Sequence, residues 1–347
     1  MLDTLPIPDR IPEVPQLTIK QIMGQPREYT TELLRLFNDY PHDRDHLRAL
    51  GISKDEMSAH LVSLLPSPGG TIFVADTGTR LQGLIYLEPD LEESALLGHH
   101  IWEIRHLVVS PEAPADTVPA LFDTAAMFLG GPADFVKARL PSSDFLCIRG
   151  LRDAGFRVAG GEIVGVIRPN RPAVHQLRGG ALVSMQTSHI RSAVNLIRDC
   201  QNCNPYLLDT RFDREKVLKL QERRLTRCLK DPDCDTLVIQ QRTGDILGFV
   251  AYERDRRLEA EFGRRIAHIH HVCAEPDSAG NRQTDMLHRQ ALAVLWEEGI
   301  EAITTITPTA CENTMYGLTV LKNIGYQVTR NDLRMHRWLK DPKKVTA

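Results

Sequence analysis

The chain has 347 residues, with 42 lysines and arginines against 45 aspartates and glutamates, and thus a formal net charge of −3. Hydrophobic residues make up 42% and charged residues 25%, an ordinary globular composition that excludes a wholly disordered chain. The near-neutral balance argues against nucleic acid or an anionic membrane as the main partner, because either would favour a basic excess. Single cores stop growing at about 250 residues, so the length predicts two domains.

Targeting features and cysteine usage predict a cytoplasmic protein. No apolar run approaches the roughly 20 residues needed to span a bilayer, and residues 1–15 lack the apolar stretch of a secretion signal. The seven cysteines are odd in number and scattered, which favours reduced thiols over a disulfide framework. A zinc site stays open as an alternative through Cys200, Cys203, Cys228 and Cys234. The spacing of the second pair is wider than the two to four residues typical of zinc ligands.

An internal repeat is the most informative feature of the sequence. Three pairs of segments match in order: residues 72–83 with 237–248, 107–111 with 272–276, and 154–156 with 324–326. The first pair reads as a hairpin, the second as a strand that ends at proline, and the third as a helix end with a Gly-aromatic pair. The offsets are nearly constant, at 165, 165 and 170 residues, so the chain is predicted to be a duplicated domain.

Each half is predicted to run strand, helices, hairpin, strand, helix, strand, helix and closing strands. A Pro-rich and Gly-rich linker separates predicted domains at residues 1–173 and 181–347. The second half is predicted in most detail: strand 182–186, helix 188–198, charged helix 214–229, hairpin 237–252, strand 266–274, helix 282–298, strand 303–306, helix 313–323 and strand 334–339.

This order of elements resembles the GNAT acetyl-CoA-dependent N-acetyltransferases over most of both halves. More narrowly, four segments resemble two-domain acetyltransferases that act on dTDP-fucosamine: residues 134–144, 151–156, 209–213 and 244–249. The resemblance implies a mixed α/β fold with two tandem GNAT-like acyl-CoA N-acyltransferase domains. It also implies acetyl-CoA as co-substrate, no metal, and a small-molecule primary amine, such as an amino sugar, as acceptor. The oligomeric state stays open.

A coenzyme site is implied where the strand at residues 266–274 runs into the following helix, because a helix N-terminus offers free N–H groups to a diphosphate. The family pattern Q/R-x-x-G-x-G/A falls on Ala279, Arg282 and Thr284, so both of its glycines are missing. In partial compensation, Arg282 and Arg289 lie two helical turns apart on one face and are expected to meet the phosphates; solvated arginines on a plain loop are the alternative. The residues implied for the coenzyme are Val272, Ala274, Gly280, Asn281, Arg282, Gln283, Thr284 and Asn313. A helix cap explains Asn313 equally well.

The same strand carries three histidines, and a neutral imidazole suits removal of the acceptor's proton. Alternation places His268 and His270 on one face as the predicted bases, and His271 on the other. Buried, hydrogen-bonded strand histidines are the alternative reading. Many GNAT members carry a tyrosine four residues before the Gly-aromatic pair. This chain has leucine there in both halves, which leaves Tyr316 as the substitute acid unless it simply packs in the core.

The first half is predicted to be non-catalytic. Its counterpart of the phosphate loop, residues 111–119, contains three prolines that lack N–H donors, together with Glu112 and Asp116 where phosphates would sit. The degraded loops and missing tyrosines also motivate a second hypothesis, a catalytically inactive scaffold or acyl-CoA sensor.

Overall fold

The computed structural model of the protein describes residues 16–23, 27–65, 69–131, 133–169, 180–199, 204–275, 282–309 and 314–340. Of residues 180, 199, 282 and 314–317 it describes the backbone. No helix in these ranges is both long and apolar enough to cross a membrane.

The first half of the chain contributes six strands and six α-helices in the described ranges. In chain order they are β1 Thr18–Ile22, α1 Thr30–Asp39, α2 Arg44–Leu50, α3 Lys54–Ser63, β2 Thr71–Asp76, β3 Leu81–Pro89, α4 Leu91–Leu97, β4 Ile101–Val109, α5 Thr117–Leu129, β5 Phe135–Pro141, α6 Phe145–Asp153 and β6 Arg157–Ile167.

The second half repeats this order. Its elements are β7 Gly180–Ser184, α7 Ile190–Asp199, α8 Pro205–Leu208, α9 Arg214–Cys228, β8 Cys234–Gln241, β9 Ile246–Arg254, α10 Arg256–Phe262, β10 Ile266–Ala274, α11 Arg282–Glu297, β11 Ala302–Pro308, α12 Thr314–Ile324 and β12 Gln327–Trp338. Both repeat hairpins form as predicted, as β2–β3 and β8–β9. The predicted β10 matches the observed bounds, whereas β12 begins seven residues earlier than predicted.

All twelve strands form one mixed sheet in the order β1-β2-β3-β4-β5-β12-β6-β11-β10-β9-β8-β7. The closing strands of the two halves are exchanged: β12 pairs with β5, and β6 pairs with β11. The exchanged strands also pair with each other in antiparallel fashion. Each half therefore completes the sheet of the other, and the division at residues 173 and 181 stays a prediction about domains.

Helices cover both faces of the sheet. On one face, α5 and α6 pack over the first half and α11 and α12 over the second. We call this the outer face. On the opposite, inner face lie α1 and α3 over the first half and α7 and α9 over the second. Alternation along the strands produces the two layers, since Phe73 and Ala75 face α5 while Ile72 and Val74 face α1.

The helix ends in both halves follow local sequence signals. Both Gly-aromatic pairs end a helix with the glycine in the left-handed region, Gly155 at φ +85° and Gly325 at φ +104°. The amides of Phe156 and Tyr326 then donate to the carbonyls of Leu151 and Leu321, each at 2.9 Å. The repeat in the sequence is therefore a repeat of helix-ending turns as well as of hairpins.

Candidate functional site

A wedge opens between β10 and β11 in the middle of the second half. The two parallel strands pair over four residue pairs, from Ile266 with Ala302 to Ile269 with Thr305. Both strands then continue, but β10 pairs only with β9 to Ala274, and β11 pairs with β6 to Pro308. The strands thus separate toward their C-terminal ends and leave a gap in the sheet.

A β-bulge lies where the two strands part. The register of β10 on β9 passes from Ile269 with Tyr252 to His271 with Ala251, so His270 is the extra residue. The bulge reverses the alternation beyond it: Val272 packs with the outer core, whereas Cys273 packs with α7 and α9 on the inner face. His271 therefore faces inward like Cys273, and the prediction that it lies opposite His268 and His270 is wrong.

His268 is held through both ring nitrogens. Its Nε2 lies 2.9 Å from Oδ2 of Asp255, and its Nδ1 lies 2.5 Å from Oγ1 of Thr304. Asp255 also caps α10 by accepting from the amide of Leu258. Burial raises the pKa of Asp255, but the hydrogen bonds from His268 and Leu258 outweigh burial and lower it below its usual value. An ionised Asp255 only accepts, so Nε2 of His268 carries a proton; in the neutral ring, Nδ1 then accepts from the threonine hydroxyl.

His270 has a different arrangement. Its Nε2 lies 2.9 Å from Oε2 of Glu253, and its side chain is 40% exposed. The hydrogen bond from His270 is the main reason why the pKa of Glu253 is lowered. Among the residues that the structure describes, Nδ1 of His270 has no hydrogen-bond partner. With Nε2 donating to the carboxylate, Nδ1 keeps its lone pair for another proton. The rings of His268 and His270 lie 6.1 Å apart.

His271 is the third histidine, and burial lowers its pKa to about 4. The nearby charges of His270, Arg224 and Arg334 lower it further in the same direction. His271 is therefore neutral at physiological pH, and its ring faces a region of the inner face that holds arginine side chains. Arg224 comes from α9, which was predicted as a charged helix, and Arg334 comes from β12.

The residues predicted for the coenzyme divide into two groups. Val272 and Ala274 lie on the outer face of the open part of β10, and Gln283 and Thr284 lie in the first turn of α11. Oε1 of Gln283 is buried without a hydrogen-bond partner among the described residues, so it can accept from a ligand at this helix end. The role of these four residues in binding acetyl-CoA stays a prediction.

The other residues predicted for the coenzyme, and the predicted acid Tyr316, lie wholly or partly outside the described residues. Gly280, Asn281 and Asn313 lie outside the described residues, as do the side chains of Arg282 and Tyr316. Arg289, by contrast, is already engaged: its Nε donates to Asp285 at 2.8 Å and its Nη2 to the carbonyl of Asn323 at 3.3 Å. It thus links α11 to α12.

In both halves a leucine stands where the resemblance implies a tyrosine, and both leucines pack in the core. Leu151 and Leu321 are almost completely buried, and each belongs to the outer-face core of its own half. Tyr326, in the Gly-aromatic pair, is also buried, and its hydroxyl has no hydrogen-bond partner among the described residues. Burial raises the pKa of Tyr326, which makes it a poor acid at neutral pH.

The first half has the same wedge without the same chemistry. Its strands β4 and β5 also pair over four residue pairs and then separate, and β4 has a bulge at Arg105, the counterpart of His270. In its phosphate-loop counterpart, the amides of Glu112 and Ala113 donate to Ser110, and that of Thr117 donates to the carbonyl of Pro114. Several N–H groups that a diphosphate would need are therefore used within the loop itself.

Two helices also close over the first wedge on the outer face. A Cβ added at Gly150 of α6 would lie 2.4 Å from Cβ of Val118 in α5, so the side chain of Val118 packs directly against the backbone of Gly150. On the inner face, Lys137 donates to Asp90 and Glu93, each at 2.7 Å. Lys137 lies in the paired part of the β4–β5 ladder, opposite Glu103.

The cysteines show one departure from the sequence analysis. Cys228 ends α9 and Cys234 begins β8; the turn between them brings the Cα atoms to 5.1 Å, and the two sulfurs form a disulfide. The prediction of reduced thiols is wrong for this pair, which cannot supply zinc-binding thiolates. Cys200 and Cys203 lie outside the described residues. The part of the chain that the structure describes contains no group of three or more potential metal ligands.

A separate cavity of about 410 Å³ lies beyond the closed end of the wedge. It is lined by α2, the end of β6 and the start of β12, with Arg48, Arg168 and Gln327 among its residues. The paired part of the ladder separates this cavity from the open part of the wedge. Across it, three residues lie side by side: Val166, Thr304 and His268. The cavity therefore does not belong to the candidate active site.

The hydrogen-bond partners of His268 and His270 were not predicted from the sequence; they are Glu253, Asp255 and Thr304. Each lies on a neighbouring strand or at its end and becomes a partner only through the sheet register. The alternation of Glu253 and Asp255 at the end of β9 was a usable signal, because it places both carboxylates on one face beside β10. Their pairing with particular histidines required the bulge to be known.

Comparison with solved structures gives the same fold. A GCN5-related N-acetyltransferase from Sphaerobacter thermophilus aligns with a TM-score of 0.61 at 12% identity, over 94% of this chain and 96% of that one. A tandem GNAT protein from the clavulanic acid biosynthesis pathway aligns with a TM-score of 0.54 at 13% identity, over 94% and 99%.

A third likeness is to the glucosamine N-acetyltransferase region of a fungal multi-domain GH3 β-N-acetylglucosaminidase, with a TM-score of 0.58 at 13% identity. It covers 96% of this chain and 40% of that one, so this chain spans less than half of the fungal protein. No family model and no curated protein matches the sequence. At these identities the likenesses show the fold alone: a large mixed α/β sheet that matches those of GNAT structures, one of them a tandem GNAT protein.

Proposed function

We propose that the second half of this protein transfers the acetyl group of acetyl-CoA to a primary amine of a small molecule. The wedge between β10 and β11 carries this proposal, because it opens a path through the sheet of a GNAT fold beside the bulge at His270. Positioning two reactants in such a gap supplies much of the rate of acyl transfer, and it needs few catalytic side chains.

His270 is the residue best arranged to act as the base. The amine nitrogen attacks the thioester carbonyl carbon, and Nδ1 of His270 takes the proton that the amine loses, while Glu253 holds the ring through Nε2. The carbon–sulfur bond then breaks, and the thiol of the coenzyme, with a pKa of about 8.5, leaves as a thiolate without a dedicated acid. In this proposal the thioester carbonyl accepts a hydrogen bond from backbone at the bulge, where one residue of β10 falls out of register with β9.

His268 takes a positioning role in this proposal. Both of its ring nitrogens are engaged, by Asp255 and Thr304, so it has no free lone pair for the amine's proton. It ties β9, β10 and β11 together at the closed end of the wedge. Its substitution should therefore affect the geometry of the wedge more than the proton transfer itself.

The first half, in this proposal, supports the second without catalysis of its own. Its loop amides are used internally, α5 and α6 are in direct contact, and Arg105 replaces the candidate base. A guanidinium stays protonated at physiological pH and cannot accept a proton. The narrower likeness to dTDP-fucosamine acetyltransferases and the choice of an amino sugar as acceptor stay predictions.

Two measurements test the function. Acetyl-CoA at millimolar concentration should raise the melting temperature, because a ligand that binds the folded state stabilises it by mass action. The protein should also release thiol from acetyl-CoA with at least one member of a panel of primary amines. In His270→Gln the rate of this release should fall by about 100-fold or more. Arg105→Gln, at the matched bulge of the first half, should retain the rate. Thiol release by no amine in the panel would contradict the proposal and favour the inactive scaffold.

A further inference from the structure

Two arginines from different halves lie directly opposite each other next to the wedge. Arg139 on β5 pairs with Arg334 on β12 in the antiparallel ladder. Like charges in opposite positions of a sheet repel each other, so this arrangement requires a compensating anion. Glu162 on β6 supplies one negative charge to both arginines, and its side chain is 4% exposed. Its Oε2 lies 3.0 Å from Nε of Arg139, and its Oε1 lies 2.5 Å from Nη2 of Arg334.

The arginines are only partly used by the carboxylates beneath them. The Arg139 atom recorded nearest to both carboxylates is Nε, at 3.0 Å from Glu162 and 2.7 Å from Asp332, which is 1% exposed. This Nε is buried and has no well-aligned hydrogen bond within the described residues. Arg334 uses Nε and Nη2 on the same oxygen of Glu162. Within the described residues, both Nη atoms of Arg139 and Nη1 of Arg334 have no hydrogen-bond partner. With side chains 33% and 39% exposed, the guanidinium groups form the outer layer over buried carboxylates.

Space is available beside this arginine pair. Gly160 on β6 pairs with Arg334, and a Cβ added at Gly160 would meet no atom within 4 Å. A small cavity of about 10 Å³, enough for one water, is lined by Gly160, Arg334 and Pro308 together with Glu162. Pro308 is the last residue of β11, at the open end of the wedge. The arginine pair and the wedge therefore share an edge on the inner face.

We propose that the acceptor is a primary amine that also carries an acidic group, a carboxylate or a phosphate, and that Arg139 and Arg334 bind this group. The inference rests on the proposed function, since it names the acceptor class of the same site. An oxyanion between the two guanidinium groups would use their free N–H donors in charge-assisted bonds and relieve the cross-strand repulsion. The first half would thus supply a binding residue to a reaction that occurs in the second.

The specificity arm of the test uses two matched pairs of amines. Lysine and cadaverine differ by a carboxylate, and glucosamine 6-phosphate and glucosamine differ by a phosphate. In one of the two pairs, initial rates of thiol release should give the acidic amine a kcat/KM at least ten-fold higher than that of its neutral partner. Which pair shows the difference tells whether the site binds a carboxylate or a phosphate. Arg139→Gln should reduce this ratio to about two-fold or less through KM. Arg149→Gln, at an exposed site on α6, should leave it unchanged.

Two further variants guard against a folding artefact. Arg139→Gln leaves each buried carboxylate with a partner, because Arg334 still pairs with Glu162 and Arg330 with Asp332. Gly160→Ala adds a Cβ that meets no atom within 4 Å, so it should leave the melting temperature unchanged while it narrows the space beside Arg334 and raises KM for the acidic amine. Equal rates for both members of both pairs, or an unchanged ratio in Arg139→Gln, would overturn the proposal.

A binding arm separates this proposal from the failure of the catalytic one. Isothermal titration measures the binding of all four amines to the unsubstituted protein and to Arg139→Gln. For the acidic amine of one pair, the dissociation constant should be at least ten-fold higher in Arg139→Gln. If no amine releases thiol but this difference is found, the catalytic proposal fails and the acidic-group site stands. If thiol is released but the arginine substitution affects acidic and neutral amines equally, the acidic-group site fails and the acetyltransferase stands.

Discussion

The contact between α4 and α9 joins the two halves and offers a sharp test of how burial sets the energy of an ion pair. Glu93 of α4 is 3% exposed and accepts three hydrogen bonds, from Lys137 at 2.7 Å, Tyr206 at 2.5 Å and Nη2 of Arg224 at 2.6 Å. One turn further along α9, Arg227 donates to Glu92 at 2.7 Å, but this pair is 64% and 26% exposed. The same two helices thus carry a buried and an exposed Arg–Glu pair.

We expect Arg224→Ala to lower the free energy of unfolding by about 2–3 kcal/mol. Breaking a buried pair costs about 3–5 kcal/mol when one charge is left alone, and Lys137 and Tyr206 reduce this cost by keeping Glu93 hydrogen-bonded. Arg227→Ala should cost at most about 1 kcal/mol, because exposed pairs are screened by solvent. Both substitutions exchange arginine for alanine within the same helix, so differences in helix propensity cancel.

Denaturant unfolding, followed by far-UV circular dichroism and by tryptophan fluorescence, measures both variants, and coincident transitions establish that one free energy describes each of them. Double-mutant cycles with Glu93→Gln and Glu92→Gln then isolate the two coupling energies. Equal destabilisation by Arg224→Ala and Arg227→Ala, within about 0.5 kcal/mol, would refute the reasoning that burial between the halves decides the energy of these pairs.

Two other predictions concern stability. Burial lowers the pKa of both His106 and His271 to about 4, so each ring is neutral in the folded state and contributes stability above pH 6.5 that is lost as the pH falls toward 4. The loss reaches about 3 kcal/mol per ring, and the pH dependence of the denaturant midpoint should become shallower in His106→Gln. Gly150→Ala should destabilise the protein by about 1–3 kcal/mol through its clash with Val118, although alanine favours helices. Gly131→Ala, whose added Cβ meets nothing within 4 Å, is the control, and stabilisation by Gly150→Ala in thermal melts would contradict the close helix contact.

The candidate site was only partly predictable from the sequence. His268 and His270 were expected on one face of β10, and the structure does bring their rings within 6.1 Å of each other. Their different roles depend on the bulge and on partners from other segments, Glu253, Asp255 and Thr304. A bulge of one residue leaves no mark in an apolar and histidine-rich strand, so the inward direction of His271 could not be read from alternation.

By itself, the sequence determined the duplicated order of elements. Hairpins, helix-ending glycines and strand-ending prolines are local signals, and they recur at nearly constant offsets because each acts within a few residues. Only the tertiary structure decided that β6 and β12 exchange places and that arginines from both halves meet beside one wedge. Strand exchange alters which segments pair but not the local pattern of any strand, since both arrangements bury the same alternating side chains.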